Sequence, residues 1–171
     1  GEGLDLKFSD EVDRISVETP HPRWLIERWI GEFGSERAFA IAMANNAEPP
    51  LAFRRTARHS DPDIEVIGRS SNYVAGCRLG SGDTRRLIEL EREGVIYFQD
   101  ESSQLVASAA AANSGEYVLD VCAAPGSKTG MLALSGRAMI IAGDVTRARL
   151  ATLRSNLERQ GVAGVELCQY D

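Results

Sequence analysis

A chain of 171 residues, 43% hydrophobic and 26% charged, has the composition of an ordinary globular protein with apolar content for one sizeable core or two small ones. No stretch approaches the roughly 18 apolar residues of a membrane span and no basic-then-apolar signal peptide opens the chain, so a cytoplasmic protein is expected. A net charge of −6 argues against non-specific nucleic-acid binding by the whole surface, and the widely spaced Cys77, Cys122 and Cys168, with no CxxC pair, point to reduced thiols and not to a disulfide framework or a zinc site.

Residues up to about Thr19 are polar and weakly patterned, with one helical turn starting at Ser9-Asp10. After Pro20-His21-Pro22, the residues Ile26, Trp29, Ile30 and Phe33 recur at i, i+3, i+4 and i+7 and predict a helix that Gly34 terminates. Ser35 is the expected cap of a second helix, with Phe39, Ala42 and Met43 as its buried stripe and Asn45-Asn46 at its end. From Leu51 the pattern switches to short strands: Leu51 and Phe53, then Ile64 to Ile67, then Tyr73 to Leu79. A helix from Asp83 to Glu93 follows, with Leu87, Ile88 and the stem of Glu91 on one side. Arg54, Arg55, Arg58 and His59 form the densest basic cluster, which fits either phosphate contacts or a solvated strand edge. His21 and His59 lack metal-ligand spacing and are expected in loops or on the surface. Residues 1–93 therefore read as a helical hairpin plus a small α+β accessory subdomain, with a domain boundary near Gly94.

Ser102 or Ser103 is the expected cap of an alanine-rich helix running to about Ala112. Tyr117 to Cys122 is a short apolar run after the turn Asn113-Ser114-Gly115 and reads as a buried strand. In the loop that follows, Ala123, Ala124 and Gly126 carry almost no side chain and let a ligand approach the backbone, Pro125 stiffens the turn, and Ser127 can cap the next helix. The letters exclude two relatives of this corner. A P-loop, GxxxxGK[ST], fails because Cys122 and Ser127 stand where its glycines belong, and GxGxxG is absent. Ala138 to Ala142 is a second strand finishing at Gly143-Asp144. Thr146 caps a helix with Leu150, Leu153 and Leu157 inward, Gly161 stops it, and Val165 to Gln169 is a third strand running to Asp171. Strand, helix, strand, helix, strand over residues 94–171 predicts the first half of a doubly wound, Rossmann-like α/β sheet. Lys128 is one of only two lysines among 19 basic residues, and its place in the loop hints at a need for a compact ammonium.

YVLDVCAAPGSKT resembles motif I, VLDxCAAPGGKT, of the Fmu/Sun family of S-adenosylmethionine-dependent ribosomal RNA cytosine-5 methyltransferases, with Ser127 in place of the second glycine. HPRWLIERW, FGSERAFAIAMANN and PPLAFRRT resemble the segment preceding the catalytic domain in that family, and GVIYFQDESSQL resembles its GxxxxQDEASQL phrase. The resemblance implies a class I methyltransferase that transfers a methyl group from S-adenosylmethionine to C5 of cytosine, in 16S ribosomal RNA, with RNA as its partner and no metal. It implies a cofactor site made of Cys122, Ala123, Ala124, Pro125, Gly126, Ser127, Lys128, Asp144 and Asp171. Loop N–H groups would face the methionine carboxylate at a helix N-terminus. Asp144, 24 residues after Asp120, has the spacing of an acid that holds a ribose diol, and Asp171 stands where the family contacts the adenine amino group.

The family's nucleophilic cysteine comes from later Pro-Cys and Thr-Cys phrases, expected beyond Asp171, so no catalytic residue is assigned here. Cys122 then reads as a small packing residue at a strand end, and Cys77 and Cys168 as core thiols. Both ends look cut, and such a fragment is expected to be inactive alone and to expose an edge of its first parallel strand. Two alternatives stand beside this reading: a non-catalytic S-adenosylmethionine- or RNA-binding remnant, and a transfer RNA cytosine-5 methyltransferase.

Overall fold

The computed structural model describes residues 7–58, 68–80, 84–110, 113–134, 136 and 138–170. His59, the expected strand at Ile64 to Ile67, and Asp171 lie outside the described residues. The chain forms two compact units, Gly1–Pro49 and Pro50–Asp171.

The first unit holds three helices: α1 (Glu11–Glu18), α2 (Arg23–Phe33) and α3 (Ser35–Asn45). The single turn expected at Ser9-Asp10 is a two-turn helix. Asp10 caps it by accepting the Asp13 N–H, and Arg14 ties successive turns together through Glu11 and Glu18. Ile15, Ile26 and Ala42 are buried together, with Val12, Trp29, Ile30 and Phe39 packed around them. Phe33 and Met43, expected inward, are exposed. Gly34, at φ +80°, occupies the cap position of α3, and Ser35 is its first helical residue without a side-chain cap bond.

His21 lies in the loop before α2, one of the two places expected for it, and is buried there. Asn45 Nδ2 donates to its Nε2 at 3.0 Å, so Nδ1 carries the proton and donates to the Thr19 carbonyl. Asn46 Nδ2 donates to the same Thr19 carbonyl at 2.8 Å. The His-Pro and Ala-Asn-Asn phrases are thus two halves of one hydrogen-bonded latch that closes the end of α3 onto the turn before α2.

The second unit opens with an antiparallel sheet built from β1 (Ala52–Arg55), β2 (Gly68–Ser70), β3 (Cys77–Gly80) and β4 (Ile96–Phe98), in the order β2-β3-β1-β4. The strand expected from Tyr73 begins only at Cys77, because a turn with Gly76 at φ +80° precedes it. Phe53 is fully buried among Leu87, Leu90, Val95 and Ile96. Helix α4 (Thr84–Arg92) therefore turns Leu87 and Leu90 inward, while Ile88 is exposed. The two compact units part after Pro49, and β4 pairs with β1 through Phe53 and Phe98.

Helix α5 (Glu101–Ala109) is capped by Asp100, which accepts the N–H groups of Ser102 and Ser103; neither serine acts as the cap. Then follow β5 (Tyr117–Asp120), α6 (Ser127–Leu134), β6 (Met139–Asp144), α7 (Arg147–Arg159) and β7 (Val165–Gln169). The three strands form the expected parallel sheet in the order β5-β6-β7, with Asp120 level with Ala142 and Asp144 level with Gln169. Ala123 and Ala142 are buried against Leu153 and Leu157 of α7. Side chains alternate across a strand, so Tyr117, Leu119, Val121 and the paired Met139 share the opposite face. They are exposed, and β5 is open on one side instead of buried. Among the described residues no helix is long and apolar enough to cross a membrane.

Candidate functional site

The loop after β5 is laced to its neighbours by its own backbone. Ala123 N–H donates to the Gly143 carbonyl at 3.0 Å, and Gly126 N–H to the Ala123 carbonyl at 2.7 Å. Helix α7 holds the far side: Arg149 Nη2 donates to the Ala124 carbonyl at 3.2 Å, and Asn156 Nδ2 to the Pro125 carbonyl at 2.8 Å. The Ala124–Pro125 bond is cis. Gly126 has φ +101°, and a Cβ built on it would stand 2.7 Å from Leu153 Cδ1. Its missing side chain therefore serves packing on α7.

The other side of the loop faces a groove of about 400 Å³, lined by Asp120, Cys122, Ala123, Ala124, Pro125, Ser127 and Lys128 over Val118 and Leu132. Ser127 is the first residue of α6. The first-turn N–H groups of a helix have no acceptor within it, so this rim presents donors and a positive partial charge. Lys128 is exposed at the rim. Asp120 contributes a carboxylate whose Oδ2 accepts Thr129 Oγ1 at 2.7 Å, and Oδ1 faces Cys122 N–H at 3.4 Å.

Asp144 does not line this groove. Its Oδ2 accepts the Ala124 N–H at 3.1 Å, and its Oδ1 accepts both the Val145 N–H at 2.9 Å and Arg149 Nε at 2.7 Å. Burial pushes its pKa up, but the Arg149 hydrogen bond and the two amides outweigh that and hold it below the ordinary carboxylate range. Beside it the Tyr170 ring lies across Gly143, where a Cβ would stand 2.5 Å from Tyr170 Cε1. Burial, and then a hydrogen bond with Cys122, raise the Tyr170 phenol.

The structure thus brings Cys122 to Pro125, Ser127 and Lys128 together around one groove. It sets Gly126 and Asp144 behind them, and Asp171 falls outside the described residues. Cys122 is exposed, unlike the packing residue expected; Cys77 is buried and Cys168 half-buried. Of the basic cluster, Arg54 is buried and Arg58 donates to the Glu158 carbonyl. Among the described residues no group of three or more His, Cys, Asp or Glu could hold a metal ion.

Two family models match, one described as 16S rRNA methyltransferase RsmB/F over residues 107–171, the other as an RsmF/B-like methyltransferase ferredoxin-like domain over residues 21–64; between them they take in more than half the chain. The chain belongs to the RsmB/F methyltransferase family. This is the family of the Fmu/Sun resemblance. The ribosomal RNA small subunit methyltransferase B of Pseudomonas putida is 35% identical over 170 residues, covering 92% of this chain and 38% of that protein. The probable ribosomal RNA small subunit methyltransferase B of Bacillus subtilis is 29% identical over 168 residues, covering 91% and 37%. The chain spans less than two fifths of these RsmB relatives.

A solved methyltransferase homolog from Pyrococcus horikoshii matches with a TM-score of 0.81 at 27% identity, over 96% of this chain and 57% of that one. The structure of NSun6 from Pyrococcus horikoshii with SFG shares the fold, with a TM-score of 0.70 at 18% identity over 88% and 65%. The three-stranded parallel unit is accordingly the class I methyltransferase half-domain of an RsmB/F member. One RsmB/F match starts inside α5 and takes in that whole sheet, and the other takes in α2, α3 and β1.

The sequence reading missed Asp120, Arg149 and Asn156 as loop-holding groups. Asp120 lay inside the motif but read as the interior of a strand. Arg149 and Asn156, seven residues apart on α7, carry no signal of their own, because polar side chains that bond to a neighbouring backbone have the same periodicity as those that face water.

Proposed function

We propose that this chain carries the S-adenosylmethionine loop of an RNA methyltransferase acting on C5 of cytosine in small-subunit 16S ribosomal RNA, in the cytoplasm. The observation that carries the reading is the groove beside Cys122 to Lys128: small residues, a helix N-terminus and one carboxylate converge there, where neither phosphate fingerprint is present. The names of the RsmB relatives support the substrate class. Residues 94–171 are assigned to the cofactor half-domain, with β4 lent to the sheet of the accessory part, and residues 1–93 to that accessory part.

The residues fit the ligand at one end and are occupied at the other. At the rim, N–H groups of Ser127 and Lys128 suit the ligand's carboxylate, the Lys128 ammonium adds a point charge, and Asp120 suits its amino group. Asp144 suits both hydroxyls of a ribose diol once Arg149 releases Oδ1, which already accepts twice, whereas Oδ2 accepts only the Ala124 N–H. Asp171 is assigned to the adenine amino group on the resemblance alone. When bound, S-adenosylmethionine supplies an electrophilic methyl group on a sulfonium. The chain's own residues bind and orient it, and Cys122 is given no nucleophilic role.

Equilibrium dialysis of the chain against tritiated S-adenosylmethionine tests this. Retention that S-adenosylhomocysteine competes away, and that Asp120→Asn and Asp144→Ala both weaken, is expected. No retention at millimolar ligand, or retention indifferent to both substitutions, overturns the assignment.

A further inference from the structure

Arg54 is 4% exposed and sits between the antiparallel sheet and the loop helix. Its Nε donates to Gln99 Oε1 at 2.7 Å, and its Nη2 donates to Gln160 Oε1 at 2.6 Å and to the Ser127 carbonyl at 3.1 Å. Its carbon Cζ lies 5.2 Å from the Tyr97 ring centre. Every acceptor is neutral, and no described carboxylate pairs with it. Desolvation lowers its pKa to about 10, so it stays charged at neutral pH. Burying an unpaired cation is costly, and a plain core would place an apolar side chain here. Gly130 leaves the space it needs: a Cβ there would stand 3.2 Å from Arg54 Nη2 and would run into Gln160 Oε1.

We infer that Arg54 is a positioning residue for the cofactor loop, clamping the first turn of α6 through the Ser127 carbonyl and keeping a positive charge beside the turn whose N–H groups face the groove. The inference rests on the proposed cofactor site. Its fork geometry matters, because Nε and Nη2 reach acceptors on three elements at once, which an ammonium on a flexible stem does not reproduce. The clamp acts on the carboxylate-binding end of the site and leaves the nucleoside end alone.

The full chain carrying Arg54→Lys or Arg54→Met is compared with wild type in two measurements. Amide hydrogen exchange without ligand should speed up about tenfold at Lys128 to Gly130 and stay unchanged in β6, as expected when one charged hydrogen bond is lost locally. Affinity for S-adenosylhomocysteine should fall about tenfold, while that for methylthioadenosine, which lacks the amino-acid end, should change by less than about twofold. Gln160→Met, which removes one acceptor and leaves the charge, should shift both readouts in the same sense, and decides the matter if Arg54→Met does not fold. Unchanged exchange in α6, or equal weakening of both ligands, overturns the inference. Wild-type protein that binds neither ligand refutes the cofactor reading instead, and the exchange result still judges Arg54.

Discussion

At Gly126 a single hydrogen atom does what no side chain can. The residue combines φ +101° with a Leu153 methyl 2.7 Å from where a Cβ would be, so Gly126→Ala should lower stability by about 1–3 kcal/mol, measured as a shift in the denaturant midpoint. An unchanged midpoint would mean that the loop is not packed on α7. Asp144 makes a second residue-scale claim. Its folded pKa is depressed, so its contribution to stability is present above its unfolded pKa and is lost as pH falls through the folded value. The acid limb of a stability-against-pH curve should therefore be shallower for Asp144→Asn than for wild type, and identical limbs would contradict the ion pair with Arg149. The motif letters pointed to this loop and to Asp144. They could not show that Asp144 already accepts inside the protein, because it is the turn from β6 into α7 that brings Arg149 Nε back onto Oδ1.

Among the elements, those with a long apolar period were legible and the shortest were not. The helix at Arg147–Arg159 follows from Leu150, Leu153 and Leu157, and its Thr146 cap is where the sequence places it. Three-residue strands such as Gly68–Ser70 and Ile96–Phe98 carry no readable alternation; they exist because the first pairs with Cys77–Gly80 and the second with Phe53 to Arg55. The cap of α5 was misread because capping side chains crowd together there: the carboxylate of Asp100, two residues before Ser102, is the stronger acceptor and takes the N–H groups of both serines. The latch between His21 and Asn45 belongs at this scale. Asn45→Ala should cost about 1–2 kcal/mol of the helical unit's stability. A double-mutant cycle with His21→Phe should show that the two losses are not additive; additive losses would dissolve the latch.

Across the whole molecule, the parallel sheet has one covered face and one open one. Leu119 is 62% exposed and Ile140 is 1% exposed, although both sit in apolar strands. Leu119→Ser should change stability by less than about 0.5 kcal/mol, while Ile140→Ala should cost about 2–5 kcal/mol; equal costs in thermal or chemical denaturation would mean that the open face is covered. The sequence could not show this, since a run such as Tyr117 to Cys122 reads alike whether one or both of its faces are buried. The central claim is that the groove beside Cys122 to Lys128 receives the amino-acid end of S-adenosylmethionine. Titrating isotope-labelled chain with S-adenosylhomocysteine and following backbone amides by NMR tests it most directly. The account predicts saturable shifts at Asp120 to Thr129, with smaller ones at the end of β6. Shifts confined to the antiparallel sheet or the helical unit, or none at saturating ligand, would contradict it.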